Sequence, residues 1–294
     1  MNQELLKNFD GIIRSEVPLA MHTWLQLGGP AEYFAEPRSE EELLALLREC
    51  TKAGVPIRTL GKGSNILISD SGVPGLVIRL TDPVFCGIKT DAPIIEAGAG
   101  VRLGRLITSA VYDSLAGLEG MIGVPGTVGG AIMNNVSSND GNIGELVDSV
   151  RIATCSGEIQ ELTRDQIVFG YHNCSIGNAV IIKVRFALNE ERSPELAKRL
   201  QKNWIVRRKN EPGGSEGSVR LFKDLRGQNA ADLIEEADLK GMRIGGARIY
   251  ERNPNFVVVD PDCSSSDVKR LIQLVERQVR ERCEVELELE LEIW

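Results

Sequence analysis

The sequence predicts an α+β fold. Short apolar runs of strand length are mixed along the chain with segments whose apolar residues recur at helical spacing, and no internal repeat is visible. The composition, 42% hydrophobic and 26% charged, is ordinary for a folded globular protein. At 294 residues the chain can hold one large domain or two to three smaller ones.

In chain order, Ser39-Glu40-Glu41-Glu42 is a capping box, Leu43, Leu44, Leu46 and Leu47 follow at helical spacing, and Gly54 closes the helix. Pro56 to Leu60 and Ile66 to Ser69 read as strands joined by the tight loop GKGSN, residues 61–65. Val77 to Leu80 and Ile94 to Ala97 are further strands. Arg102 to Leu115 is a helix with Leu103, Leu106, Ile107, Ala110 and Val111 on one face. Val147 to Ala153, Glu158 to Leu162 and Ala179 to Leu188 read as strands. Ser193-Pro194 starts a helix that runs to about Lys209. A loose stretch, EPGGSEGS at 211–218, follows, and a domain boundary is drawn near 190–212. Beyond it come a helix near Asn229–Ala237, strands near Arg243–Tyr250 and Asn255–Val259, and a helix from Ser266 to Arg282. A strand, VELELELEI at 285–293, closes the chain.

Charge and composition narrow the function. A formal net charge of -8 argues against nonspecific binding of nucleic acid or an anionic membrane, both of which need a basic face. The first residues show no signal-peptide pattern, and no apolar run approaches the ~20 residues of a bilayer span. Six scattered cysteines without a C-x-x-C pair and only two histidines point away from a disulfide framework or a metal centre. A cytoplasmic protein without a metal is expected.

Four glycine motifs invite comparison. GGSEG (213–217) has the letters of a nucleophile elbow but lacks the strand-turn-helix context that chemistry needs. GAGVRLG (98–104) follows a strand and opens a helix, yet is one residue too long for a dinucleotide fingerprint. GKGSN can turn several N–H groups toward an anion, or it is simply a turn. GVPGTVGG (123–130) holds four glycines in eight residues, which suits close approach of main chain to a partner. The last two loops, one on each side of a helix, suit a dinucleotide diphosphate or a flavin held by backbone.

HTWLQLGGPAEYF (22–34), GKGSNILISDSGVPGLVI (61–78), AGLEGMIGVPGTVGGAIMNN (116–135), DLIEEADLKGMRIGGARI (232–249) and the closing VELELEL occur in an order that resembles the UDP-N-acetylenolpyruvoylglucosamine reductase (MurB) family. The resemblance runs from about residue 20 to the end. It implies a two-subdomain FAD-binding fold of the vanillyl-alcohol-oxidase (PCMH) type, expected at 1–80 and 81–192, plus a C-terminal α+β substrate domain at 193–294. The short connection from Tyr171 to Val180 looks like the family's type II branch. The implied reaction is NADPH-dependent reduction of an enolpyruvyl ether on UDP-N-acetylglucosamine, a step of peptidoglycan precursor synthesis. The implied partner is a UDP-sugar, and a monomer is expected. By the same resemblance FAD lies along Gly123, Val124, Pro125, Gly126, Thr127, Gly129 and Gly130, with its diphosphate on Gly61, Lys62, Gly63, Ser64 and Asn65.

The family's catalytic residues match one at a time. Its Glu, in a closing L-E-x-E strand, falls on Glu290. Its proton-donating Ser, in G-S-x-F-K-N-P, is matched to Ser218, but two residues are added before Phe222-Lys223 and Asp224-Leu225 replaces Asn-Pro. The added pair is either looped out or moves the hydroxyl by several ångströms. The family's Tyr-Arg pair is Tyr171-His172, and His lacks both the permanent charge and the bidentate fork of Arg. Tyr171 and Lys223 are expected to touch substrate. Glu211-Pro212 replaces the family's Gln-Pro. Three readings follow: a reductase with altered site residues, a flavin- or nucleotide-binding relative on the same scaffold, or another flavin oxidoreductase on it.

Overall fold

The structure is a computed structural model and describes residues 9, 11–138, 140–212, 217–225 and 227–294. The main elements, in chain order, begin with β1 (Ile13–Pro18), β2 (Pro30–Ala35), α1 (Glu40–Lys52), β3 (Ile57–Thr59), β4 (Ile66–Leu67) and β5 (Val73–Ile78). Next come β6 (Ile88–Asp91), β7 (Ile94–Gly98), α2 (Leu103–Tyr112), α3 (Val128–Met133), β8 (Val147–Ala153) and β9 (Ile159–Thr163). The hairpin β10 (Phe169–Gly170) and β11 (Asn173–Cys174) precedes β12 (Val180–Ala187) and α4 (Ser193–Asn210). The remainder is β13 (Ser218–Arg220), α5 (Ala230–Glu236), β14 (Arg243–Ile244), β15 (Ala247–Ile249), β16 (Phe256–Val259), α6 (Ser265–Cys283) and β17 (Glu292–Ile293).

Two compact units share the chain. Unit 1 comprises Met1–Val17, Glu32–Lys62 and Pro74–Ile205; unit 2 comprises Pro18–Ala31, Gly63–Val73 and Val206–Trp294. The division falls inside GKGSN, between Lys62 and Gly63.

Unit 1 is built on a five-stranded antiparallel sheet in the order β9-β8-β12-β7-β6. Strand β12 is buried at Val180, Ile181 and Ile182 and alternates from Ile182 on, with Val184 and Phe186 fully buried. A four-stranded sheet, β1-β2-β5-β3, pairs β3 with β5 in parallel. Helix α1 starts as its sequence requires: the Ser39 hydroxyl accepts from the Glu42 N–H, and Leu43, Leu46, Leu47 and Cys50 are buried. These residues join Leu103, Leu106, Ile107 and Ala110 of α2 and Val128, Ala131 and Ile132 of α3 in one apolar core.

Unit 2 has its own core, around the antiparallel sheet β13-β16-β15-β14 and helices α5 and α6. On α6, Val268, Leu271, Ile272, Val275 and Val279 form the apolar face. The helix start is doubly held. Ser264 and Asp267 form a capping box, and the Asp70 carboxylate accepts from the N–H groups of Ser265 (2.8 Å) and Ser266 (3.1 Å).

Three sequence expectations change. The strand expected at Arg243–Tyr250 breaks into a hairpin, because Gly245-Gly246 packs against Asp267 and Cys263 so closely that a Cβ on either glycine would lie within 2.6 Å of them. The helix expected to Leu115 ends at Tyr112. The closing strand expected at 285–293 is a ladder only at Glu292–Ile293, which pairs in parallel with β4, plus a single bridge from Leu289 to Phe222. Its alternation is still used: Leu291 is buried, and Val285, Leu287 and Leu289 pack on the unit 2 core. Period two reports which side chains are covered; a ladder also requires a partner strand beside each residue.

Candidate functional site

The two glycine loops meet within unit 1. A Cβ on Gly61 would come 2.7 Å from the Thr127 hydroxyl. Much of the glycine content of GVPGTVGG is explained by the bed it lies on, residues 99–103. The N–H groups of Val128 and Gly129 donate to the carbonyls of Val101 (2.8 Å) and Ala99 (2.9 Å), and the Leu103 N–H donates to the Gly126 carbonyl. A Cβ on Gly129 would be 3.1 Å from that of Ala99, and Gly126 has φ +140°. GAGVRLG is therefore the support for this loop. Its own Gly98 and Gly100 are fixed by contact with Phe85 and Leu80 backbone. Thr127 caps α3, its hydroxyl accepting from the Gly130 N–H.

GKGSN is donor-rich. Among the described residues, the N–H groups of Gly61, Lys62 and Gly63 have no protein acceptor. Gly63 sits at φ +60°, with His22 and Thr23 where a Cβ would go. Three backbone donors and the Lys62 ammonium on one loop, beside a glycine face too close to tolerate side chains, fit an anionic dinucleotide such as the FAD diphosphate. At the loop's end, the Asn65 side-chain amide donates to the Glu290 backbone carbonyl (3.0 Å) and the Asn65 backbone carbonyl accepts from the Glu292 N–H (3.1 Å).

Glu290 lies enclosed within a cluster of charged residues of unit 2. Its N–H donates to the Leu221 carbonyl (2.9 Å), and its side chain is only 14% exposed. Burial pushes the carboxyl up to about 7; Arg220 and Lys223 oppose this, while Asp224 and Glu211 add to it. The Arg220 guanidinium lies 3.2 Å from the Glu290 carboxylate and 2.6 Å from that of Asp224. Burial also raises Glu211, despite Arg207 at 3.1 Å and Arg220 nearby. Lys223 is ion-paired with Glu288.

Ser218 is buried on β13, in register opposite Val258. The two added residues are not looped out. Ser218, Val219 and Arg220 pair without a bulge with Val258, Val257 and Phe256, and Leu221 continues with a bond to Asn255. Extended chain rises about 3.3 Å per residue, so the Ser218 hydroxyl is displaced about 7 Å from where a serine two residues before Phe222 would stand. That nearer place belongs to Arg220. Sequence reasoning passed over Arg220 because it lay inside a gapped match; counting back from Phe222-Lys223 without a gap finds it.

Tyr171 and His172, in unit 1, form the two-residue turn of the β10–β11 hairpin, with ring centroids 4.3 Å apart. His172 has φ +53°. Residues 213–216 of the GGSEG motif lie outside the described residues.

Glycine-rich loops with main-chain donors unpaired among the described residues fit an FAD-binding flavoprotein. Residues 31–163 match the model of the FAD binding domain, and residues 208–294 match that of the UDP-N-acetylenolpyruvoylglucosamine reductase C-terminal domain. A UDP-N-acetylenolpyruvoylglucosamine reductase of Rhodopirellula baltica is 32% identical, over 96% of this chain and 93% of that protein. One from Moorella thermoacetica is 35% identical, over 94% and 91%. The crystal structure of the reductase (MurB) from Thermus caldophilus superposes with a TM-score of 0.82 at 33% identity, covering 96% of this chain and 99% of that one. The chain belongs to the UDP-N-acetylenolpyruvoylglucosamine reductase family.

Proposed function

We propose that the protein reduces UDP-N-acetylglucosamine enolpyruvate to UDP-N-acetylmuramate. FAD, when bound, would supply the hydride chemistry, with NADPH as the source of reducing equivalents. The chain's own residues handle the rest. Hydride at the vinyl carbon leaves negative charge on its neighbour, which needs a cation or hydrogen-bond donor beside it and then a proton. Glu290 has the stronger case as the proton source. It is buried, burial pushes its carboxyl up to about 7, and by resemblance it is matched to the family's glutamate. The observation that carries the reading is the match of residues 208–294 to the reductase C-terminal domain, within which Glu290 lies buried against Arg220. Ser218, the other candidate, shares a face of β13 with Arg220 by the strand's period of two. His172 is assigned to the substrate carboxylate, and Tyr171 and Lys223 to substrate contact.

Gly61, Lys62, Gly63, Ser64 and Asn65 would hold FAD at its diphosphate, and the loop of Gly123, Val124, Pro125, Gly126, Thr127, Gly129 and Gly130 would supply further main chain for it. Segments 1–80 and 81–192 serve as the two FAD subdomains and 193–294 as the substrate domain. The enzyme works as a cytoplasmic monomer in cell-wall precursor synthesis.

A second reading, a flavin-binding relative without turnover, is favoured by one observation: β13 runs in register, so the serine is displaced. NADPH consumption by the FAD-loaded protein, with and without UDP-N-acetylglucosamine enolpyruvate across roughly pH 5.5–9, separates them. Substrate-dependent consumption is expected; none at any pH, with FAD bound, would leave the second reading.

A further inference from the structure

We infer that Arg220 is a positioning residue of this site: its guanidinium, tied back to Asp224, holds the Glu290 carboxyl in one orientation and governs the pH at which that carboxyl gives up its proton. The inference deepens the reductase reading and rests on it only for the rate arm of the test below.

The geometry carries it. Arg220 is the last residue of β13, and its neighbours in the ladder fix its backbone in register with Phe256. One guanidinium nitrogen reaches Glu290 at 3.2 Å and another reaches Asp224 at 2.6 Å. With one nitrogen hydrogen-bonded to Asp224 and another in ion-pair contact with Glu290, the planar guanidinium has less freedom to turn than an ammonium or a hydroxyl in the same place. Asp224 is itself fixed, because its other oxygen accepts from the Ala230 N–H at the start of α5 (3.0 Å). The chain of contacts therefore runs from a helix start, through Asp224 and Arg220, to the carboxyl of Glu290.

The charges around Glu290 give this arrangement a consequence. From the end of α4 come Arg207 and Glu211, from β13 and the turn after it Arg220, Lys223 and Asp224, and from the closing segment Glu288. Together with Glu290 these are three cations and four carboxyls. With one proton held on the group, the charges balance. Burial favours placing that proton on Glu290, which is the most enclosed of the four carboxyls. Arg220 is the strongest opposing influence, so it decides how readily the proton leaves.

The test uses the FAD-loaded full-length protein with ¹³Cδ-labelled glutamate, titrated by carbon NMR, the Glu290 signal being assigned by its loss in Glu290→Gln. In the unaltered protein this signal is expected to titrate near neutral pH. Arg220→Gln should move the midpoint up by about one unit or more. Arg220→Lys should recover part of the shift, since charge returns without the fork. Asp224→Asn should move it down, because a neighbouring negative charge is lost. Opposite signs for two residues in direct contact are not produced by general loosening of the fold, and Arg220→Lys keeps the test open should Arg220→Gln not fold. In the rate arm, the alkaline limb of substrate-dependent NADPH consumption should move with the NMR midpoint, and kcat should fall about 10-fold or more in Arg220→Gln while KM changes little. A Glu290 midpoint that stays put in both Arg220 variants, or that lies in the ordinary carboxylate range in the unaltered protein, would overturn the inference. Absent turnover in the unaltered protein removes the reductase reading and leaves the titration arm to decide.

Discussion

Replacing Glu290 by Gln should make the protein more resistant to unfolding above neutral pH and not below it. The folded carboxyl titrates at about 7 against an ordinary 4.5. Between those values the folded protein holds a proton that the unfolded chain has released, so stability falls as pH rises through the window. Integrated for one group at about 1.4 kcal/mol per unit, the full loss is about 3 kcal/mol, of which about 2.5 kcal/mol falls between pH 5 and pH 8. Glutamine has nearly the same shape and cannot ionise, so the variant escapes this term. Denaturant melts of both proteins at pH 5 and pH 8, at one fixed FAD concentration and followed by tryptophan emission, measure the gap between them. That gap should shift in favour of Gln by about 2.5 kcal/mol on going to pH 8. A gap that stays constant within about 0.5 kcal/mol would mean that Glu290 ionises as a solvated glutamate does, and the assignment of a near-neutral proton to it would fall.

Other outcomes follow from the same structure. Gly61→Ala puts a methyl 2.7 Å from the Thr127 hydroxyl, and should weaken FAD retention about 10-fold or more, read from the flavin released on gel filtration. Arg199→Ala strips the guanidinium from Glu119, whose side chain is 9% exposed and which, against the upward push of burial, the Gly117 N–H and Arg199 hold below the usual range. It should cost about 2–3 kcal/mol in a denaturant melt, where an exposed ion pair would cost under 1. Asp70→Ala removes the acceptor for two N–H groups at the start of α6 and should cost about 1–2 kcal/mol, with Asp70→Asn recovering part of it. His172→Arg places a permanent cation at the hairpin turn and should raise substrate-dependent NADPH consumption; an unchanged rate would remove His172 from charge stabilisation.

The sequence was most readable where one local rule decides the outcome. Ser39 and Glu42 announce the start of α1, and the Ser193-Pro194 pair announces α4 at the residue where it begins. Strand β8 falls on the residues expected from its apolar run. Reading failed where the answer depends on a distant neighbour. Alternation in 285–293 shows which side chains are covered, but nothing local says that only Glu292–Ile293 finds β4. The bed beneath GVPGTVGG is another such case, since two glycine-rich segments that each look like a phosphate loop turn out to be stacked on one another. Arg220 was hidden by the motif itself: a match centred on a serine draws the eye to Ser218, whereas the register of β13 against β16 brings the arginine to Glu290.

Unit 2 is assembled from three stretches of chain, Pro18–Ala31, Gly63–Val73 and Val206–Trp294. The bond from Asn65 to Glu290 joins residues 225 apart in sequence. During synthesis the first two stretches leave the ribosome long before the third exists. Leu25, Leu27 and Leu67, all destined for the unit 2 core, must wait uncovered until Phe222, α6 and Leu291 have been made. Unit 2 therefore cannot close its core, nor can Asn65 meet Glu290, until the third stretch has been synthesised.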